Sequence, residues 1–88
     1  MPLTQENTAV TFRLFGSARA AAGAGEVHVA SGPVAEVVAA LTADLPAGFS
    51  DVLAASSLVA DGLRLDRDSS APIAGGTVVD VLPPFAGG

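Results

Sequence analysis

Residues 77–84 read TVVDVLPP, in which a run of β-branched side chains is followed directly by two prolines. Val and Thr favour the extended backbone of a strand, and a continuous apolar run is typical of a strand buried within a sheet. The two prolines remove two backbone N–H donors, so the strand does not continue through them. We therefore predict an interior strand at residues 77–82.

Upstream of this run, apolar and polar residues alternate in several short segments. Alternation with a period of two predicts half-buried strands at residues 9–15 and 26–30. Two shorter strands are predicted at residues 58–60 and 63–65. They are separated by Asp61-Gly62, a pair that favours the type I′ turn of a hairpin.

Two helices are predicted between these strands. Ser17 is expected to cap a short Ala-rich helix at residues 18–22, which Gly23 stops. A longer helix is predicted to open at Pro33, since proline is accepted in a first helical turn, and to end before Pro46. Its apolar residues recur at the spacing of one helical face: Val34, Val37, Val38, Leu41 and Leu45.

The remaining segments carry no regular pattern. Residues 46–57 are expected to form an irregular connection with a turn of helix near residues 51–55. Residues 66–76 are predicted to be a polar loop. The order is then strand, short helix, strand, long helix, hairpin, strand and tail.

This order predicts an α+β protein with the β-grasp (ubiquitin-like) fold: a mixed sheet of about five strands, one main helix and a short extra helix after the first strand. The predicted domain covers residues 9–82. Residues 1–8 are expected to form a flexible lead-in, and residues 83–88 are expected to form a flexible tail that ends in Gly-Gly.

Composition excludes several classes of function. The net charge is −5 and the four cations are all Arg, so the chain cannot assemble the basic patch of a nucleic-acid binder. It has no Cys, and His28 is its single His, so no metal site is expected. No segment approaches the ~20 apolar residues of a membrane span, and the N-terminus lacks a signal-peptide pattern. We therefore expect a cytoplasmic protein without a membrane or nucleic-acid partner.

The tail, PPFAGG at residues 83–88, is the feature that folding does not require. The prolines stiffen its start, and the final glycines carry no Cβ, so the end fits a narrow channel. Residues 72–88, PIAGGTVVDVLPPFAGG, resemble the end of the MoaD/ThiS sulfur-carrier family. Residues 10–23, with their Ala-rich helix, are similar to the small subunit of molybdopterin synthase.

The resemblance implies a carrier rather than an enzyme. A ubiquitin-activating-enzyme-like adenylyltransferase would use ATP and Mg²⁺ to activate the Gly88 carboxylate, and a sulfur donor would convert it to a thiocarboxylate. The sulfur would pass to an acceptor, with the large subunit of molybdopterin synthase as first choice. The carrier itself would bind no cofactor. Carriers for cysteine, thiamin or specialised-metabolite synthesis, a ubiquitin-like protein modifier and a plain binding domain with an idle tail are the alternatives.

The predicted site therefore consists of the tail and an apolar patch. The resemblance makes Gly88 the reacting residue, with Gly87, Ala86, Phe85, Pro84 and Pro83 contacting partners. Side chains of the last strand alternate, so they cannot all face one helix. We expect Val78, Leu82 and Phe15 to form an apolar docking patch, the alternative being that the short helix and the loops cover them.

Overall fold

The computed structural model describes residues 9–84. The predicted lead-in at residues 1–8 and the tail residues 85–88 lie outside this range. The strands are β1 (Ala9–Leu14), β2 (Glu26–Ala30), β3 (Gly32–Pro33), β4 (Ser57–Ala60), β5 (Leu63–Arg64), β6 (Pro72–Ile73) and β7 (Val78–Leu82). The helices are α1 (Gly16–Ala22), α2 (Val34–Ala43) and α3 (Ala47–Ala55).

The main sheet has five strands in the order β2-β1-β7-β4-β5. β7 lies between β1, to which it is parallel, and β4, to which it is antiparallel. Val79 and Val81 of β7 are fully buried, as expected for a β-branched strand at the centre of a sheet. The predicted interior strand and the predicted mixed sheet are both confirmed.

The core lies on the helical side of this sheet. α2 contacts β2, and α1 and α3 contact each other. Buried side chains from the three helices are Ala18, Ala22, Val34, Val37, Leu41, Phe49 and Leu53. They form one cluster with buried strand residues that include Val10, Phe12, Leu14, Leu58, Val79 and Val81. Among residues 9–84, every helix is too short or too polar to cross a membrane.

The segment between α2 and β4 differs from the prediction. Residues 46–57 were expected to be largely irregular, but they contain the full helix α3. Phe49 and Leu53 are spaced one turn apart and are buried, and Val52 packs beside them. Burial of this apolar face stabilises a helix whose Gly and Ser residues have weak intrinsic propensity.

The start of α1 also differs from the prediction. The helix begins two residues earlier, at Gly16, and the Ser17 side chain makes no capping hydrogen bond. The capping position belongs to Phe15, whose carbonyl accepts a hydrogen bond from the backbone N of Ala18 at 3.0 Å. The other end is as predicted, because Gly23 adopts the left-handed conformation that closes the helix.

The predicted hairpin is confirmed. Asp61 and Gly62 both have positive φ, at 53° and 79°, which is the requirement of a type I′ turn. Asp61 is, in residues 9–84, the one non-glycine residue with positive φ. This turn sets the register in which Val59 lies opposite Arg64.

The predicted polar loop at residues 66–76 is tied to the domain at several points. β6 within it pairs with β3 in a second, two-stranded sheet that the sequence did not predict. The backbone N of Val34 donates a hydrogen bond to the carbonyl of Ala71 at 2.9 Å. Arg67 reaches across to the C-terminal end of α3. These contacts make the loop part of the folded domain.

Candidate functional site

The central strand leads directly to the start of the predicted tail. After Leu82, Pro83 is half-buried and Pro84 is exposed. A Cβ atom placed on Gly16 would lie 3.9 Å from Cγ of Pro83, so the first residue of α1 is beside the tail's exit from the sheet. The other predicted site residues, at 85–88, lie outside the described range, and their roles remain predictions.

The sheet face opposite the helices, called the open face below, carries the predicted docking residues. Alternation along β7 buries Val79 and Val81 and directs Val78 and Leu82 to the open face. Val78 is 41% exposed, Leu82 40% and Phe15 41%. Neither α1 nor the loops within residues 9–84 cover these side chains. Among the described residues these side chains are therefore partly exposed, and their docking role remains a prediction.

A row of mainly charged side chains crosses the open face between Leu82 and Val78. The strand register aligns Glu26 with Arg13, Arg13 with Asp80, Asp80 with Val59, and Val59 with Arg64. These five residues are called the charged row below. They divide the apolar surface, which sequence reasoning treated as continuous.

The centre of the charged row is a two-point ion pair. Nε of Arg13 is 2.7 Å from Oδ1 of Asp80, and Nη2 is 3.1 Å from Oδ2. The hydrogen bond from Arg13 to Asp80 and the negative charge of Asp80 raise the pKa of Arg13 above its ordinary value. The guanidinium also lies 5.8 Å from the centre of the Phe15 ring, within cation–π range. Phe15 thus lies beside Arg13, on the side of the charged row nearest the tail.

At the β2 edge, His28 joins two polar neighbours. Thr11 Oγ1 is 3.0 Å from His28 Nδ1, and His28 Nε2 is 3.2 Å from Oε2 of Glu26. His28 is exposed on a strand, as the alternation predicted. Over residues 9–84, no three His, Asp or Glu side chains come together in a group suited to hold a metal ion.

At the opposite edge, Arg64 points toward the tail end of the sheet. Its Nη2 donates a hydrogen bond to Oγ of Ser57 at 3.1 Å. Ser57 is aligned with Leu82, the last residue before the prolines. Leu63, the neighbour of Arg64 along β5, is 71% exposed. A cation and one apolar side chain, that of Leu82, therefore lie at this side of the tail exit, because Leu63 aligns with Ala60 and projects from the other face of the sheet.

Sequence reasoning missed the charged row, although its residues occupy polar positions in the alternating strands. Arg13 and Asp80 are 67 positions apart, so only the parallel pairing of β1 with β7 brings them together. The available signal was that β-grasp order places the first and last strands side by side. Residues of opposite charge at equivalent positions along those two strands would then predict a cross-strand ion pair.

Several solved structures share this fold. The crystal structure of SAMP1 from Haloferax volcanii has a TM-score of 0.76 and 22% identity, covering 91% of this chain and 99% of that chain. The solution structure of small archaeal modifier protein 1 from Methanosarcina acetivorans has a TM-score of 0.72 and 21% identity, covering 96% of this chain and 100% of that chain.

A third similar structure is a chain in the complex of subunits 1 and 2 of the molybdopterin-converting factor from Helicobacter pylori 26695. It has a TM-score of 0.65 and 20% identity, covering 91% of this chain and 99% of that chain. No family model matches the sequence, and no curated protein does. At these identities the likeness shows the fold, and this chain therefore has the β-grasp architecture of the small ubiquitin-like proteins.

Proposed function

We propose that this chain is a ubiquitin-like sulfur carrier that delivers sulfur on the carboxylate of Gly88. The observation that carries the proposal is the path of β7, which runs through the middle of the sheet and continues into Pro83-Pro84 and a sequence ending in Gly87-Gly88. The fold supports it, because one similar structure is a subunit of a molybdopterin-converting factor.

The proposed chemistry begins at the tail and uses partner enzymes. A carboxylate oxygen of Gly88 attacks the α-phosphorus of Mg²⁺-bound ATP, pyrophosphate leaves, and an acyl adenylate forms. The terminal sulfur of a donor persulfide then attacks the carbonyl carbon and AMP leaves. A thiol cleaves the resulting S–S bond, so the donor sulfur remains on Gly88 as a thiocarboxylate. Tethering then supplies this sulfur at high effective concentration to the acceptor.

The carrier's own residues supply presentation rather than catalysis. The proline pair keeps the start of the tail extended, and the terminal glycines offer no side chain to obstruct a channel. Phe15, Leu82 and Val78 provide apolar surface for docking on the open face. Activation requires ATP, which is consistent with our proposal of a cytoplasmic protein that is not itself an enzyme.

For the acceptor, we propose the large subunit of molybdopterin synthase. The support is the inserted helix α1, which follows the first strand as in the small subunits that the sequence resembles. Enzymes that add sulfur during the synthesis of cysteine, thiamin or a specialised metabolite are the alternative acceptors. Surface complementarity selects the acceptor. Residues of the open face, rather than those of the tail, would therefore determine which of these enzymes binds the carrier.

A ubiquitin-like protein modifier is the second candidate. It is favoured by the likeness to two small archaeal modifier proteins, and it requires the same acyl adenylate. In that case Gly88 would end in an amide bond to a lysine of a target protein. This chain contains no Lys, so it cannot form polymers linked through its own side chains.

Intact-mass measurement separates these functions. The purified chain is incubated with an adenylyltransferase, ATP and a sulfide source. A carrier gains about 16 Da as sulfur replaces oxygen, whereas a modifier appears in high-mass adducts with other proteins. Chains that lack Gly88, or that carry one additional residue after it, are the controls and should show no change. A wild-type chain whose mass is insensitive to ATP would refute both candidates.

A further inference from the structure

Arg64 is the cation of the open face that the fold leaves available. Arg13 is engaged by both carboxylate oxygens of Asp80. Arg67 donates to two backbone carbonyls near the end of α3. Within residues 9–84, Arg64 makes a single side-chain hydrogen bond, to Ser57. A guanidinium has five N–H donors, so most of its donors remain free for another molecule.

The position of Arg64 relates it to the tail. Val59 lies opposite both Asp80 and Arg64, which places the Arg64 side chain on the open face. Its hydrogen bond to Ser57 brings the guanidinium next to the position of Leu82. A group that binds Arg64 would therefore contact the carrier beside the tail's exit.

Arg64 also lines a shallow groove of about 310 Å³. Arg67, Asp66 and Asp68 line the same groove, so its formal charges balance. The Asp66 carboxylate accepts a hydrogen bond from the backbone N of Asp68 at 3.0 Å. Among the described residues Arg13–Asp80 is the arginine–carboxylate salt bridge, so neither aspartate is paired with Arg64. The groove thus offers space for an external carboxylate.

We propose that Arg64 binds a carboxylate of the activating enzyme, at a surface where an apolar pocket receives Leu82. This inference rests on the proposed carrier function and adds the residue that sets docking register. A planar guanidinium binds carboxylates at two points, and arginine is enriched among interface residues that dominate affinity. The chain carries a net charge of −5, so a partner carboxylate placed elsewhere is more often repelled. A partner carboxylate that lies opposite Arg64 is instead attracted by the positive charge, which makes this contact a source of specificity.

The test compares Arg64→Gln with Arg19→Gln in ATP–pyrophosphate exchange, using the adenylyltransferase of the intact-mass experiment. Each variant removes one positive charge, and Arg19 lies on α1 with its guanidinium beside Gly25 rather than in the charged row. We expect Arg64→Gln to raise KM for the carrier about tenfold with kcat unchanged, because only docking is affected. Arg19→Gln should stay within about twofold of wild type. Arg64→Lys, which keeps the charge but loses the planar fork, should be intermediate.

The outcomes separate this inference from the function on which it rests. An unchanged KM for Arg64→Gln, or an equal rise for both glutamine variants, overturns the role of Arg64 while leaving the carrier intact. Failure of the enzyme to activate the wild-type chain overturns the carrier function and this inference with it. Thermal melts of each variant confirm that the folded chain is being compared.

Discussion

Arg67, in the loop after β5, forms hydrogen bonds with the C-terminal end of α3. We expect Arg67→Ala to destabilise the domain. Nη1 donates to the carbonyl of Leu53 at 2.8 Å, and Nη2 donates to the carbonyl of Ser56. The Leu53 carbonyl also accepts a hydrogen bond from the backbone N of Ser56 at 3.0 Å, so Arg67 is its second donor. Both residues are largely buried, with Leu53 at 2% and Ser56 at 5% exposure, so few water molecules reach them.

The magnitude follows from these two bonds. A hydrogen bond to a charged group contributes about 1.5–3 kcal/mol, and its loss costs less at the Leu53 carbonyl, which keeps the backbone N of Ser56 as a donor. Arg67 itself is only half-buried, so water replaces part of the interaction. The favourable charge at the helix C-terminus adds about 0.3–1 kcal/mol. We therefore expect a loss of about 2–3 kcal/mol, a large part of the stability of a small domain.

Urea unfolding monitored by circular dichroism measures this loss. Arg67→Lys retains the charge but cannot reach both carbonyls with a planar fork, so it should recover part of the stability. Arg19→Ala is the matched control, since within residues 9–84 it removes no side-chain hydrogen bond and only the favourable charge in the last turn of α1, and it should change the free energy of unfolding by less than about 1 kcal/mol. The reasoning fails if Arg67→Ala is as mild as Arg19→Ala, or if Arg67→Lys equals wild type.

Two further predictions concern α1 and the open face. Ser17→Ala should change the free energy of unfolding by less than about 0.5 kcal/mol in the same urea experiment, because Ser17 makes no capping bond; a loss near 1 kcal/mol would show that it caps the helix in solution. Leu82→Ser should leave the melting temperature nearly unchanged but raise KM in the exchange assay several-fold, since Leu82 is 40% exposed. A large fall in melting temperature with an unchanged KM would assign Leu82 to the core instead.

Sequence reasoning recovered the elements whose signals are local. The β-branched run of β7 ends at two prolines, and both features lie within eight residues, 77–84. The apolar stripe of α2 has the spacing of a helix, and its buried members include Val37 and Leu41. The Asp61-Gly62 pair specifies its turn through backbone sterics alone. In each case the residues that decide the conformation are neighbours in sequence.

The features that were missed depend on contacts between distant segments. α3 exists because Phe49 and Leu53 are buried in the core, which compensates for weak local propensity. The β3–β6 pair joins Gly32 to Ile73, and neither two-residue strand has a pattern of its own. The Arg13–Asp80 pair likewise needs the register of β1 against β7. The role of the tail rests on the sequence alone, because residues 85–88 lie outside the described range.

The two faces of β7 separate the residues that stabilise the fold from those proposed to dock partners. Val79 and Val81 are fully buried against the helices, whereas Val78 and Leu82 are exposed on the other side. Changes on the open face therefore remove little buried surface, while changes on the helical face create cavities. Partner choice is thus free to diverge through Leu82, Val78 and the charged row without loss of the fold. Under the proposed carrier function, the chemistry at Gly88 would stay constant while the docking surface differs between partners, because the two involve separate residues.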